Sequence, residues 1–241
     1  MATPPPIGSY KIKVDGQWDI ADLQQFSESL LEAYSFLYHV VGDGRTSLPL
    51  RDTKFVMFEF EPDFDIVPWG RFFYEEIPPE QRIKIKAFAY SSPGVIEIAA
   101  ILGVVALVAR VVRAWVRTGD SILELLGKID KYREQRRRAN LRREMTAQEE
   151  AINLQQGRDF VFELGKSLGF TQESCNTLLE VAGGPLGALR LLVAVARQGQ
   201  RLAELQQQGK LVFAEATTNQ RQLPSSRTVR KRPPRRKKDE E

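Results

Sequence analysis

The chain has 241 residues, of which 42% are hydrophobic, and this supplies enough apolar material for a substantial core. A single cysteine, Cys175, and a single histidine, His39, exclude an intrachain disulfide framework and the usual thiolate or imidazole zinc sites within one chain. Residues 1–6 lack the basic and apolar regions of a secretory signal peptide, so we expect a cytoplasmic protein.

The net charge of +4 conceals a strong local asymmetry. Residues 1–109 hold 9 basic and 15 acidic residues, whereas residues 110–143 hold 11 basic and 4 acidic residues. Residues 217–241 hold 9 basic and 3 acidic residues. Two separate basic regions predict an acidic partner more strongly than the average charge does.

Alternation of apolar and polar residues predicts three strands, at 10–14, 54–61 and 82–90. An N-cap at Asp19 and apolar residues spaced by three or four predict a helix over 20–41 between the first two strands. The order of these elements is β-α-β-β, which is typical of a small open sheet with a helix on one face.

The segment between the second and third predicted strands, residues 62–80, is rich in aromatic residues and prolines, so we predict a long shaped loop. Trp69, Phe72 and Tyr74 are residue types that anchor protein interfaces, and they form a candidate partner site. The alternative is a small core beneath the loop.

The most apolar stretch predicts a hydrophobic helix over 95–116, in which residues 98–109 carry no charge. A membrane-spanning helix needs about 20 apolar residues, and this one reaches that length only if Glu97, Arg110 and Arg113 are accommodated. A buried core helix is the first interpretation, and membrane insertion or docking is the alternative. The candidate membrane residues are Ile98, Leu102, Val105 and Val108.

Periodicity predicts a second, polar and arginine-rich helix over 122–156. Six of its arginines are candidate contacts to an acidic partner such as nucleic acid or lipid headgroups: Arg133, Arg136, Arg137, Arg138, Arg142 and Arg143. The alternative is a solvated helix whose arginines pair with Glu149 and Glu150 or with the acidic N-terminal domain.

The remaining helices have clear end signals. Thr171 is placed to cap one helix, which ends at Gly183-Gly184, and Pro185 suits the first turn of the next. Residues 210–214 predict a short final strand.

Prolines and charge predict a disordered tail over 217–241. Its basic cluster is a candidate contact to nucleic acid or to an anionic membrane, or alternatively a solubility tail. The cluster consists of Arg230, Lys231, Arg232, Arg235, Arg236, Lys237 and Lys238.

Four lysines are predicted to share the outer face of the sheet, namely Lys11, Lys13, Lys84 and Lys86. Cross-strand ion pairs with Glu59 and Glu61 explain this pattern without a ligand. Nucleic-acid binding on that face is the alternative, and it would use aromatic residues such as Phe88 and Tyr90.

No catalytic motif is present. Gly165-Lys166-Ser167 lacks the earlier glycine of a phosphate-binding loop, and Asp63 with Asp65 is a weak signal for a cation. A nucleophilic pair would require Cys175 and His39 to meet, whereas both lie on predicted amphipathic helices. We therefore expect no enzyme, no cofactor and no small-molecule substrate.

The sequence predicts an α+β protein with a disordered N-terminus over 1–9, a β-α-β-β domain over 10–92 and a helical region over 93–216 before the tail. The leading hypothesis is a non-enzymatic interaction or adaptor protein that binds a protein partner, or itself, through the helical region. The alternatives are a membrane-acting protein that inserts 95–116 and a nucleic-acid-binding protein that uses Arg133–Arg143 with the tail.

Overall fold

The computed structural model describes residues 7–41, 69–89, 93–142 and 146–213. The described part is an antiparallel sheet combined with helices, which confirms the predicted α+β class. In chain order the elements are β1 (Ile7–Val14), α1 (Ile20–Val41), α2 (Trp69–Glu76), β2 (Lys84–Ala89), β3 (Gly94–Ile101), α3 (Leu102–Arg142), α4 (Ala147–Ser167), α5 (Gln172–Val181), α6 (Pro185–Gln207) and β4 (Leu211–Phe213).

The four strands form one sheet in the order β2-β3-β1-β4. β1 pairs with β3 along its whole length, from Ile7 opposite Ile101 to Val14 opposite Gly94, and its other edge pairs with β4. The sheet therefore includes strands from both sides of the boundary predicted at residues 92–93. β1 also begins at Ile7, so residues 7–9, predicted to be disordered, belong to a strand.

The predicted hydrophobic helix over 95–116 is wrong in its first part, because Gly94–Ile101 is strand β3 and the helix begins only at Leu102. Ile96, Ile98 and Ala100 point into the core, whereas Val95 and Ala99 on the opposite face are also apolar and half-buried. A strand that is apolar on both faces has no alternation, and periodicity alone does not separate it from a buried helix.

The predicted arginine-rich helix over 122–156 is two helices, because α3 ends at Arg142 and α4 begins after Thr146. The Thr146 side chain accepts a hydrogen bond from the Glu149 amide, and the Glu149 carboxylate accepts one from the Thr146 amide. This capping box starts a new helix and was missed in the sequence. α3 is itself broken at Thr118, where φ is −137° and ψ is 31°.

Other predicted ends are confirmed. α1 runs over Ile20–Val41 as predicted, Thr171 caps α5, and Pro185 begins α6. The segment predicted as an irregular loop over 62–80 contains helix α2 in its described part. The predicted strand at 54–61 and the tail at 217–241 lie outside the described residues.

One face of the sheet and the inward sides of the helices share a single hydrophobic core. Tyr34 links α1 to the sheet, because its hydroxyl accepts a hydrogen bond from the Ile101 amide at 3.2 Å and donates one to the Gln81 carbonyl at 2.7 Å. Burial raises the pKa of Tyr34 to about 12, so this hydroxyl keeps its proton throughout the neutral range. α6 crosses α3 closely at Gly199, where a Cβ would overlap Val111 and Trp115.

Candidate interaction surfaces

The arginine-rich end of α3 and the start of α4 form the least buried helical part of the described chain. We call residues 133–142 and 147–156 the arm. Of its described side chains, from Arg133 to Ala139 and from Ala147 to Gln156, none belongs to a buried residue. Such a pair of helices contributes little to the core, and its exposed face is available to a partner.

Tyr132 holds the base of the arm. Its hydroxyl donates a hydrogen bond to the Asn153 carbonyl oxygen at 2.6 Å, and its ring lies 5.5 Å from the ring of Phe160. Gly157 allows this approach, because a Cβ at that position would lie 2.7 Å from the Tyr132 oxygen. The base is therefore packed, although the residues beyond it are exposed.

The described arginines of the arm differ in their pairing. Arg133 lies 3.5 Å from the Asp130 carboxylate, and Arg138 lies 2.8 Å from the Glu134 carboxylate. Both are pairs between neighbouring turns at the helix surface, where such pairs contribute little stability. These two arginines therefore pair within α3 and not with the predicted partners Glu149 and Glu150.

Arg136 and Arg137 have no such pair among the described residues. Arg137 is exposed, whereas the Nε and Nη1 atoms of Arg136 are buried without a hydrogen-bond partner. Because these two nitrogens of Arg136 are covered by the protein itself, a partner does not reach them, and Arg137 is the arginine of the two that is available to an acidic partner. The Arg142 side chain and Arg143 lie outside the described part, as do Arg230, Lys231, Arg232, Arg235, Arg236, Lys237 and Lys238.

The α4 side of the arm adds exposed apolar residues that sequence reasoning missed. Ile152 is 61% exposed and Leu154 is 37% exposed. Glu149 is occupied by the capping box, whose hydrogen bonds lower its pKa. The sequence shows Ile152 and Leu154 as part of an amphipathic pattern, and only the exposure of this stretch of α4 distinguishes them from core residues.

Three of the four candidate membrane residues are packed into the protein. Ile98 lies in β3 and is buried, as are Val105 and Val108 of α3, whereas Leu102 is 38% exposed. Within the described ranges no single helix has the length and apolar composition to cross a membrane. α5 and α6 pass that test only as a pair, and they are bent by 116° at the break between them.

The aromatic candidates are only partly described. Trp69 and Phe72 lie in α2, but their side chains fall outside the described part. Tyr74 is half-buried, donates a hydrogen bond to the Ile83 carbonyl at 3.2 Å, and lies under the Arg82 guanidinium. Its hydroxyl and ring are thus engaged within the protein.

The structure does not place Cys175 and His39 together in a site. Cys175 faces α4 at Gly165, and burial raises the pKa of its thiol. His39 faces α2, where its Nε2 lies 3.0 Å from the Phe73 carbonyl, and burial lowers its pKa. The described residues contain no group of three or more histidine, cysteine or carboxylate side chains suited to a metal ion.

Comparisons with models of protein families, with curated proteins and with solved structures find no match.

Proposed function

We propose that this protein is a non-enzymatic interaction protein and that its arm binds an acidic surface of a protein partner. The observation that carries the proposal is Arg137, which is exposed and lies in no ion pair of the described residues. Arg137 lies beyond the packed base of the arm, where it is not needed to hold the helices together.

The composition of the arm favours a protein over a nucleic acid. Arginine is enriched at protein interfaces, whose central part is apolar, and the arm also exposes Ile152 and Leu154. The basic cluster of the tail adds a second cationic region, and we propose that it strengthens association with the same acidic partner.

A matched pair of variants tests the arm. Arg137→Glu with Arg138→Glu reverses two charges in the arm, whereas Arg117→Glu with Lys128→Glu reverses two exposed charges elsewhere on α3. Each pair contains one residue with a partner four residues earlier, Glu134 for Arg138 and Glu124 for Lys128. The two variants therefore differ in position and not in net charge.

A photocrosslinking residue at position 152, in the full-length protein in its host cell, supplies the measurement. We expect a discrete protein adduct that persists in the α3 control and falls by about tenfold in the arm variant. Equal adducts in both variants would refute the proposal. Two results together would instead indicate a nucleic-acid-binding function. They are crosslinking of position 152 to nucleic acid and an affinity for a duplex oligonucleotide that falls steeply with salt concentration.

A further inference from the structure

In the described part of the chain, the face of the sheet that points away from the helices is basic, and its lysines are exposed. Cross-strand partners point to the same face of a sheet, so the register fixes which residues share it. Lys11 lies opposite Glu97 and Lys13 opposite Val95, whereas Lys84 lies opposite Ala99 on the next strand. We call this side the open face; its described members are Ile7, Ser9, Lys11, Lys13, Lys84, Lys86, Ala87, Ala89, Val95, Glu97, Ala99, Ile101 and Val212.

An irregularity in β2 brings a fourth lysine to this face. The pairing of β2 with β3 shifts between Ile85 and Ala87, so that Lys86 is an extra residue on the same side as Ala87. Its Nζ donates a hydrogen bond to the Ser9 hydroxyl at 2.8 Å, which confirms the position. The four lysines predicted to share one face therefore do so.

The negative charge of the open face is small and already engaged. Glu97 is its single carboxylate among the described residues, and it is half-buried. Its Oε1 accepts a hydrogen bond from the Ser9 hydroxyl at 2.7 Å. Lys11, Lys13 and Lys84 are exposed and lie in no ion pair of the described chain, so three positive charges have no counter-ion within this surface.

The remaining residues of the open face are apolar or small. Ile7 and Val212 are about half exposed, and Val95 is half-buried opposite Lys13. The aromatic residues Tyr10 and Phe88 of the described strands do not lie here, because they pair with Ile98 and Ile96 on the opposite face. The predicted use of Phe88 for base stacking on the lysine face is therefore wrong, and Tyr90 lies outside the described residues.

We propose that the open face docks the protein on the surface of a membrane that contains anionic phospholipids. A broad sheet face presents several lysines to a planar surface at once, and each lysine gains from the negative potential of the headgroups. Exposed aliphatic residues such as Ile7 and Val212 enter the interfacial region, whereas they add nothing to phosphate contacts on a nucleic acid. Lysine is depleted at protein interfaces, which disfavours an acidic protein as the occupant. This inference is independent of the function proposed for the arm.

Co-sedimentation with vesicles of phosphatidylcholine, with and without phosphatidylserine, tests the docking. Full-length protein carrying K11Q, K13Q, K84Q and K86Q is compared with a control carrying R117Q, K128Q, K131Q and R158Q, four exposed basic residues of α3 and α4. A contribution of about fivefold per lysine predicts that the sheet variant loses two to three orders of magnitude of partitioning on the mixed vesicles. The control is expected to lose far less, and equal losses would show bulk charge attraction and overturn the proposal.

A fluorescent dye on the open face tests the docking without removing any charge from the protein. The native Cys175 is buried, so an environment-sensitive dye attaches selectively to Val212→Cys or to Leu123→Cys on α3. We expect a blue shift on mixed vesicles for position 212 and none for position 123. An unchanged spectrum at position 212 while the protein is vesicle-bound would overturn the proposal. The proposal would also be overturned if the sheet variant lost its affinity for a duplex oligonucleotide and kept its affinity for vesicles.

Discussion

The hydroxyl of Tyr132 donates a hydrogen bond to the carbonyl oxygen of Asn153 across 2.6 Å, joining the last buried turn of α3 to the first half of α4. Gly157 makes this contact possible, since a Cβ there would lie 2.7 Å from the tyrosine oxygen and 3.2 Å from the Cβ of Pro185. The orientation of the arm therefore depends on the hydroxyl of Tyr132 and on the lack of a Cβ atom at Gly157.

Gly157→Ala is expected to destabilise the protein, although alanine normally stabilises a helix. The overlap with Tyr132 costs about 1–3 kcal/mol, which exceeds the gain in helix propensity of about 1 kcal/mol. Gly127→Ala in α3 is the matched control, because a Cβ there meets nothing within 4 Å, and it is expected to stabilise the protein. Urea unfolding midpoints of the two variants measure the difference.

The double variant Tyr132→Phe with Gly157→Ala identifies the cause. Removal of the hydroxyl gives the alanine room, so the double variant should be more stable than the sum of the single effects predicts. Additive losses would mean that the steric contact at Tyr132 is not the reason for the glycine.

Val105→Arg is expected to prevent folding, whereas Leu102→Arg should leave a folded protein. Val105 is fully buried, so an arginine there would be an unpaired charge in the core and would cost more than about 4 kcal/mol. Leu102 is 38% exposed at the start of α3, and its replacement is expected to cost about 1 kcal/mol. Circular dichroism and size-exclusion chromatography distinguish these outcomes, and a folded Val105→Arg protein would contradict the packing described for α3.

The elements predicted correctly from the sequence are those whose signals are local. α1 has an N-cap at Asp19 and a continuous apolar stripe, and α5 and α6 begin at Thr171 and Pro185, which favour helix starts by their own chemistry. β3 carries no such signal, because the core lies on one side of it and half-buried apolar residues lie on the other. Its partner β1 lies far away in sequence, so the pairing is a tertiary property.

The candidate surfaces also have some features that the sequence shows and others that only the fold decides. Charge counts locate the arginines of α3 and the lysines of the sheet, because composition is visible without coordinates. Which arginine has a partner is decided by the fold, and Arg136 differs from Arg138 only in its surroundings. The same holds for Ile152, whose exposure depends on how far the core extends along α4.

Asp22→Asn is expected to reduce stability by about 1–2 kcal/mol near neutral pH. The Asp22 carboxylate accepts hydrogen bonds from Lys210 Nζ at 2.5 Å and from the Asp19 amide at 3.0 Å, and these interactions lower its pKa. A carboxyl whose pKa is lowered by folding stabilises the protein above its ordinary pKa, and this contribution disappears as the pH falls through the lowered value. The difference in stability between the variant and the native protein should therefore disappear when the pH falls below the lowered pKa of Asp22.

Thermal unfolding over a pH series measures this effect. Asp120→Asn is the control, because Asp120 is exposed on α3 and lies in no ion pair of the described residues. A difference for Asp22→Asn that persists at low pH would indicate a role for the side chain other than its charge.

His39 is expected to make the protein less stable below about pH 6.5. Its ring is buried between Tyr38 and Phe73, and burial lowers its pKa, whereas the Phe73 carbonyl and the charge of Glu76 act in the opposite direction. Because the folded protein resists protonation of this ring, the unfolded chain binds more protons in this range. The free energy of unfolding is therefore unaffected by His39 above the unfolded-state pKa. Below that pKa it falls as the pH decreases, by at most about 1.4 kcal/mol per pH unit.

His39→Phe removes the titration and keeps an aromatic ring in the same place. The chain has one histidine, so no other imidazole contributes to the slope between pH 5 and 6.5. We expect the variant to lose some stability at neutral pH with the hydrogen bond to Phe73, and to show a flatter profile than the native protein between these values. Parallel profiles for the two proteins would mean that His39 keeps its ordinary pKa in the folded state, and that the contact between α1 and α2 does not exclude the proton.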